Sequence, residues 1–126
     1  MASPNDRKYT ETHEWILLNK NPAKIGITQY RAQQLGSVSA VALPDKNKNV
    51  SQGDEIGAIT GASATHNIHS PVSGNVIDRD EVLFDTPGSI NSDPYDAGWL
   101  VSISPSNQSQ FENLLTAAEY DQKFPL

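Results

Sequence analysis

Apolar residues in this chain come in short bursts, and a turn former closes each burst before it can grow. Trp15-Ile16-Leu17-Leu18 runs into Lys20-Asn21-Pro22, and Lys24-Ile25-Gly26-Ile27 follows as a second burst. Val38, Ala40 and Ala42 alternate with Ser37, Ser39 and Val41 until Leu43-Pro44 stops them. Glu55-Ile56-Gly57-Ala58-Ile59 rises out of a turn at Gly53-Asp54. A strand needs only roughly four to eight residues with alternating faces, whereas a stable helix needs roughly ten or more at a 3.6-residue period. The pattern therefore predicts many short strands joined by Gly/Pro turns, which is the signature of a sandwich or barrel.

The later chain repeats the theme. Ser70-Pro71-Val72-Ser73-Gly74 predicts a turn between two facing strands, with Pro71 before the turn and Val76-Ile77 opening the return strand. Residues 81–98 are rich in turn formers (Thr86-Pro87-Gly88, Asn91-Ser92-Asp93-Pro94, Ala97-Gly98) and predict a long ordered loop or several short turns. Trp99, Val101 and Ile103 alternate with Leu100, Ser102 and Ser104, the clearest strand pattern in the protein. Two windows read as helix. Thr28 is an N-cap for Gln29–Leu35, and Gly36 is its stop. In the tail, from Ser106 to Leu126, Phe111, Leu114, Leu115 and Ala118 have helical spacing, with Ser106 or Ser109 as N-cap.

A chain of 126 residues is expected to form one domain, 1–126, and two Trp, four Tyr and three Phe supply a core. Cysteine is absent, which excludes disulfides, thiolate metal sites and thiol nucleophiles. No apolar run approaches the roughly 20 residues of a membrane span, and MASPNDRKYT lacks the core of a signal peptide, so a cytoplasmic protein is expected, or a mature mitochondrial-matrix form if the source is eukaryotic. The net charge of −6, with nine Lys+Arg against fifteen Asp+Glu, argues against a nucleic-acid partner. Nearly all the excess lies in residues 64–126, where only Arg79 and Lys123 oppose the acids. That half reads first as a solvated face and second as a docking surface for a basic partner.

Few residues suggest chemistry. His66 and His69 are three apart, so on a strand they would face opposite sides, and a shared metal is not expected. His13, flanked by Glu11 and Glu14, is expected to have a raised pKa if it acts as an acid or base; a polar group at a strand entrance is the plainer reading. No serine sits in G-x-S-x-G, and no glycine-rich phosphate loop exists. The residues alone point to a binding or carrier module rather than an enzyme, with no catalytic residue.

Several stretches taken together resemble the H protein of the glycine cleavage system. They are Lys8-Tyr9, Thr12-His13-Glu14-Trp15, Gly26-Ile27-Thr28, Ala32, Leu35-Gly36, Leu43-Pro44, Val50, Gly53, Ser70-Pro71-Val72-Ser73-Gly74, Ile90-Asn91-Ser92-Asp93-Pro94-Tyr95 and Gly98-Trp99-Leu100. The resemblance implies a flattened lipoyl/biotinyl-type barrel-sandwich hybrid of two small antiparallel sheets, with a short inserted helix and a C-terminal helix. It also implies a carrier rather than a catalyst: a hairpin lysine bears covalent lipoate, whose arm collects an aminomethyl group from glycine decarboxylase and passes it on. Counting back from Pro71 by the family's spacing lands on Ser63, within Thr60-Gly61-Ala62-Ser63-Ala64-Thr65. The family's lysine is missing, and so are the preceding Glu-Ser-Val residues. The lysines are Lys8, Lys20, Lys24, Lys46, Lys48 and Lys123, and none falls in this hairpin.

The resemblance further implies an arm-binding cleft at Thr12, His13 and Glu14, with an acidic position that here is Asn67. The expectation is an H-like protein of lipoyl-carrier fold that carries no lipoate, a monomer. It would act as a binding or regulatory module toward glycine decarboxylase, aminomethyltransferase, dihydrolipoyl dehydrogenase or lipoate-attaching enzymes. Two alternatives stay open: a module repurposed for another process, and an H protein that still takes part in glycine catabolism.

Overall fold

A computed structural model describes residues 6–17, 23–106 and 108–124. In chain order the elements are β1 (Lys8–Tyr9), β2 (Glu14–Leu17), β3 (Ala23–Ile27), α1 (Gln29–Leu35), β4 (Val38–Ala42), β5 (Asn49–Val50), β6 (Glu55–Gly61), β7 (Thr65–His69), β8 (Gly74–Arg79), α2 (Ser89–Ser92), β9 (Val101–Pro105) and α3 (Ala117–Lys123). Short 3-10 turns lie at Glu81–Phe84 and Gln108–Asn113. Among the described residues nine strands form two antiparallel sheets: six in the order β1-β2-β3-β9-β8-β5, and three in the order β4-β6-β7. Neither sheet closes on itself, and the expected barrel-sandwich layout is the one observed.

The core lies between the sheets. Ile16, Ile25, Ile27, Val76 and Ile103 enter from the larger sheet, and Ile59 and Ile68 from the smaller. Leu35, Leu83 and Ile90 seal it from the connecting helical turns. A second apolar cluster, around Tyr9, Trp15, Leu17, Ala117 and Tyr120, fastens α3 to the outer strands. Trp15 faces Gly26 across the β2–β3 ladder, and a Cβ on Gly26 would stand 2.4 Å from the indole, so the glycine makes room for the ring. The indole Nε1–H donates to the carbonyls of Ile27 (2.9 Å) and Pro94 (3.0 Å), leaving no buried polar atom unpaired there.

The inserted helix matches its sequence signals. Thr28 accepts from the Arg31 amide as N-cap, and Gly36 ends α1 with φ 71. The strand at Glu55 extends two residues beyond the predicted run, and Leu18 with the Lys20-Asn21-Pro22 turn falls outside the described residues.

Three readings need correction. Ser70–Ser73 is not a hairpin turn: β7 belongs to the small sheet and β8 to the large one, so this segment is a corner between sheets. A Pro/Gly cluster marks a change of direction equally well in both cases, and only non-local pairing separates them. In the tail, the helix starts at Ala117, not after Ser106 or Ser109. Thr116 caps it, and Glu119 returns a bond to the Thr116 amide in a capping box. Ala118 is exposed, while Tyr120 takes the buried face. Finally, the predicted alternations break at bulges. Val38 is buried and Val41 half-buried, because a register shift between Val38 and Ala40 turns the chain over. Leu100, Val101, Ser102 and Ile103 are all buried, and the β8–β9 register shifts between Val76 and Asp78, opposite Ile103 and Ser102.

Candidate functional site

Ser63 sits at the tip of the β6–β7 hairpin, solvent-exposed. Main-chain hydrogen bonds hold the tip, and Ala64 packs against the core beneath it. Gly61 N–H reaches Ala64 O (2.9 Å), Ala62 N–H reaches Ser37 O (3.0 Å), and Ser63 N–H reaches Leu35 O (2.9 Å). The hairpin thus leans on the end of α1 and the link to β4. Gly61 permits the approach, because a Cβ there would stand 2.2 Å from the Leu35 carbonyl oxygen.

Beside the hairpin lies a buried carboxylate. Glu14 opens β2 and is completely buried. Thr10 Oγ1–H donates to its Oε1 at 2.8 Å, and Thr12 Oγ1–H donates to the same oxygen. Its Oε2 accepts from His66 Nε2 (2.9 Å) and from the His69 amide (3.2 Å). An isolated buried carboxylate would be costly, and these donors replace the water it has lost. Arg31 Nε–H donates to His66 Nδ1 at 3.0 Å, which makes that nitrogen an acceptor and places the ring proton on Nε2, facing Glu14. His69 Nδ1 lies 3.6 Å from Glu14 Oε2, beyond hydrogen-bond reach, and is a buried atom with no hydrogen-bond partner among the described residues.

Both histidines thus converge on one carboxylate, contrary to the opposite faces expected of odd spacing on a strand. The register slips between Glu55 and Gly57, opposite Ile68 and His69, and strict alternation ends at that bulge. Among the described residues no group of three or more His, Asp or Glu is arranged to hold a metal ion.

His13 faces elsewhere. Its φ of 71 is left-handed, an uncommon conformation for a residue with a side chain. Its Nδ1 lies 2.7 Å from Tyr120 Oη, which in turn lies 2.7 Å from Thr28 Oγ1. The ring stacks on Tyr30 and meets the edge of Phe124. The pKa of His13 is lowered, not raised: burial disfavours the charged ring, the Arg31 charge adds to this, and Glu14 opposes it only weakly. His13 therefore fastens α3 to the turn before β2.

A polar cleft runs along the hairpin edge, lined by Thr12, His13, Arg31, Thr65, His66, Asn67 and His69 along with Glu11. Of the residues singled out from the sequence, Thr12, His13 and Asn67 reach this cleft, and Glu14 lies behind it, sealed by His66. Ser63 stands apart at the tip. Sequence reasoning missed Thr10, Arg31 and the joint role of His66 and His69. Thr10, four residues before Glu14, was detectable as a local side-chain cap; the partners from α1 and β7 were not, because the fold alone brings them together.

Comparison with known proteins agrees with this architecture. The family model described as Glycine cleavage H-protein matches residues 7–125. Two proteins named glycine cleavage system H protein, from two strains of Staphylococcus epidermidis, are 36% and 35% identical over 122 residues, covering 97% of each chain. The crystal structure of a glycine cleavage system H protein from Mycobacterium marinum superposes with a TM-score of 0.90 at 34% identity, covering 98% of this chain and 100% of that one. With sheets, corner and hairpin all in place and the match running almost end to end, the chain belongs to the glycine cleavage H-protein family.

Proposed function

We propose that this protein is an H protein without a lipoyl arm, a non-catalytic member of the family that binds glycine-cleavage or lipoylation partners rather than ferrying a one-carbon unit. The observation that carries the reading is the hairpin tip. Its position for the family's lysine falls on Ser63, and no lysine lies between Glu55 and His69. An ε-amine forms a stable amide with lipoate, and a serine hydroxyl offers only a labile ester. The described lysines are otherwise engaged or remote: Lys46 pairs with Asp78 and Glu81, Lys123 pairs with Glu11, and Lys24 lies over Trp99. The residues present do not fit the covalent cofactor.

The cleft of Thr12, His13, Glu14 and Asn67 supports the same reading as the remnant of an arm-binding surface. Glu14 is saturated by donors from its own chain, and Asn67 supplies no charge to hold a protonated amine. The proposed setting is a cytoplasmic monomer docking onto glycine decarboxylase, aminomethyltransferase, dihydrolipoyl dehydrogenase or the lipoate-attaching enzymes.

Two measurements test it. The full chain is incubated with lipoate ligase, ATP and lipoate, and its intact mass is read; an unchanged mass is expected, and a lipoyl increment overturns the reading. The same chain is then offered to purified glycine decarboxylase and aminomethyltransferase. Capture of either is expected, and capture of neither, with the lipoate-attaching enzymes also failing to bind, moves the protein to a repurposed module outside glycine cleavage.

A further inference from the structure

The cleft beside the hairpin has a charge of its own, independent of what Ser63 can carry. Arg31 projects from α1 into it, half-buried, and forms no ion pair with any described carboxylate. Two of its N–H groups are spoken for, Nε by His66 Nδ1 (3.0 Å) and Nη1 by the exposed amide oxygen of Gln34 (2.9 Å). The remaining guanidinium donors have no protein acceptor among the described residues. The Nε bond fixes the plane of the guanidinium against β7, so the free donors are held in place rather than swinging in water. The nearest buried negative charge, Glu14, is screened behind His66 and satisfied by Thr10, Thr12, His66 and the His69 amide. The one acidic side chain on the rim, Glu11, is taken by Lys123 at 3.0 Å.

The polar cleft has room for about 390 Å³. It shares Glu11, Thr12 and His69 with a second cleft of about 320 Å³, whose far wall is Tyr9, Pro71, Leu114 and Leu115. One side of the shared wall carries the Arg31 guanidinium, and the other sets Pro71, Leu114 and Leu115 among the polar side chains of Thr10, Gln52 and Asn113. His69 stands between them with its Nδ1 unpartnered. A fixed guanidinium next to an apolar trough matches a molecule with a negative head and a short hydrocarbon tail.

We propose that these adjoining clefts form a binding site for a small aliphatic carboxylate. Arg31 receives the carboxylate in a forked hydrogen bond, the amide of Asn67 stands on the same rim, and the tail passes His69 to lie against Leu114 and Leu115.

Sodium octanoate is the probe, titrated into the full chain at neutral pH and followed by amide NMR, with acetate and octylammonium in parallel. Octanoate is expected to shift the amides of Thr65 to His69 and of Leu114 and Leu115, and to bind more tightly than either control. Arg31→Gln should weaken octanoate roughly tenfold or more, the expected effect of losing one charge-assisted pair. Arg31→Lys should restore much of that loss, which a merely structural role in holding His66 would not produce. The proposal is overturned if octanoate does not bind, if octylammonium binds equally well, or if Arg31→Gln folds and binds octanoate as the parent does. Acetate binding as tightly as octanoate overturns the assignment of the apolar cleft.

Discussion

Ser63, at the tip of the β6–β7 hairpin, and Glu14, at the start of β2 beside that hairpin, are held in opposite ways. Glu14 is completely buried, and three side chains plus one backbone amide aim at it. Ser63 is exposed and fixed only through main-chain bonds to Leu35 and its neighbours. The first position is over-determined by its surroundings, and changing it disturbs Thr10, Thr12, His66 and His69 together. The second is set by main-chain bonds that do not call on the side chain. A hairpin built this way presents a tip whose side chain is free to vary while the platform beneath it is not.

Breaking the carboxylate knot is the largest test of the contrast. Glu14→Ala should destabilise the fold by about 3 kcal/mol or more, since each buried donor left without an acceptor costs about 1–3 kcal/mol. Urea denaturation measures it, and a loss under about 1 kcal/mol would show that the donors find water instead. Gly61→Ala comes next, at about 1–3 kcal/mol, because the new methyl must displace the Leu35 carbonyl that the hairpin leans on. Tyr120→Phe should cost about 1–2 kcal/mol by removing the hydroxyl shared by His13 and Thr28.

Acidification gives a smaller effect of known sign. His13 has a folded pKa below its ordinary 6.5, so the unfolded chain binds more protons as the pH falls through 6.5. The contribution of neutral His13 is therefore full above that pH and is lost progressively below it, down to the folded value. The thermal midpoint should drop over this window, and His13→Gln should flatten the slope; an unchanged slope would remove His13 as its source. The smallest effect belongs to the tip. Ser63→Lys should leave the unfolding midpoint within about 0.5 kcal/mol of the parent, the usual range for an exposed substitution. The same variant should accept lipoate poorly from its ligase, because the Glu-Ser-Val context is also missing; efficient modification would show that position alone is read.

Much of this architecture could be read from local signals. Thr28 and Gly36 bracket α1 because a cap and a stop act within a few residues of themselves. The capping box Thr116-Ala117-Ala118-Glu119 was equally local, and reading it would have placed the start of α3 where it lies. The corner at Ser70–Ser73 was beyond such reading, since sheet membership depends on partners far along the chain. The site divides along the same line. Thr12, Glu14 and Asn67 were found through their place in a family pattern. The Arg31–His66–Glu14 chain joins three elements, and nothing in any one of them signals the other two. His13 shows how a sequence neighbour misleads: Glu14 is adjacent in the chain, yet burial beside Tyr30, Tyr120 and Phe124 decides the charge of the ring.

The main-chain pinning of the hairpin tip has a consequence for how such a protein ages in a lineage. Chaperones and proteases sort copies by whether the chain closes, and closure here is indifferent to what the tip displays. The bonds that pin the tip at Ser63 are the same for a serine and for a lysine, so folding quality control, which reads closure of the chain, has no means of telling the two apart there.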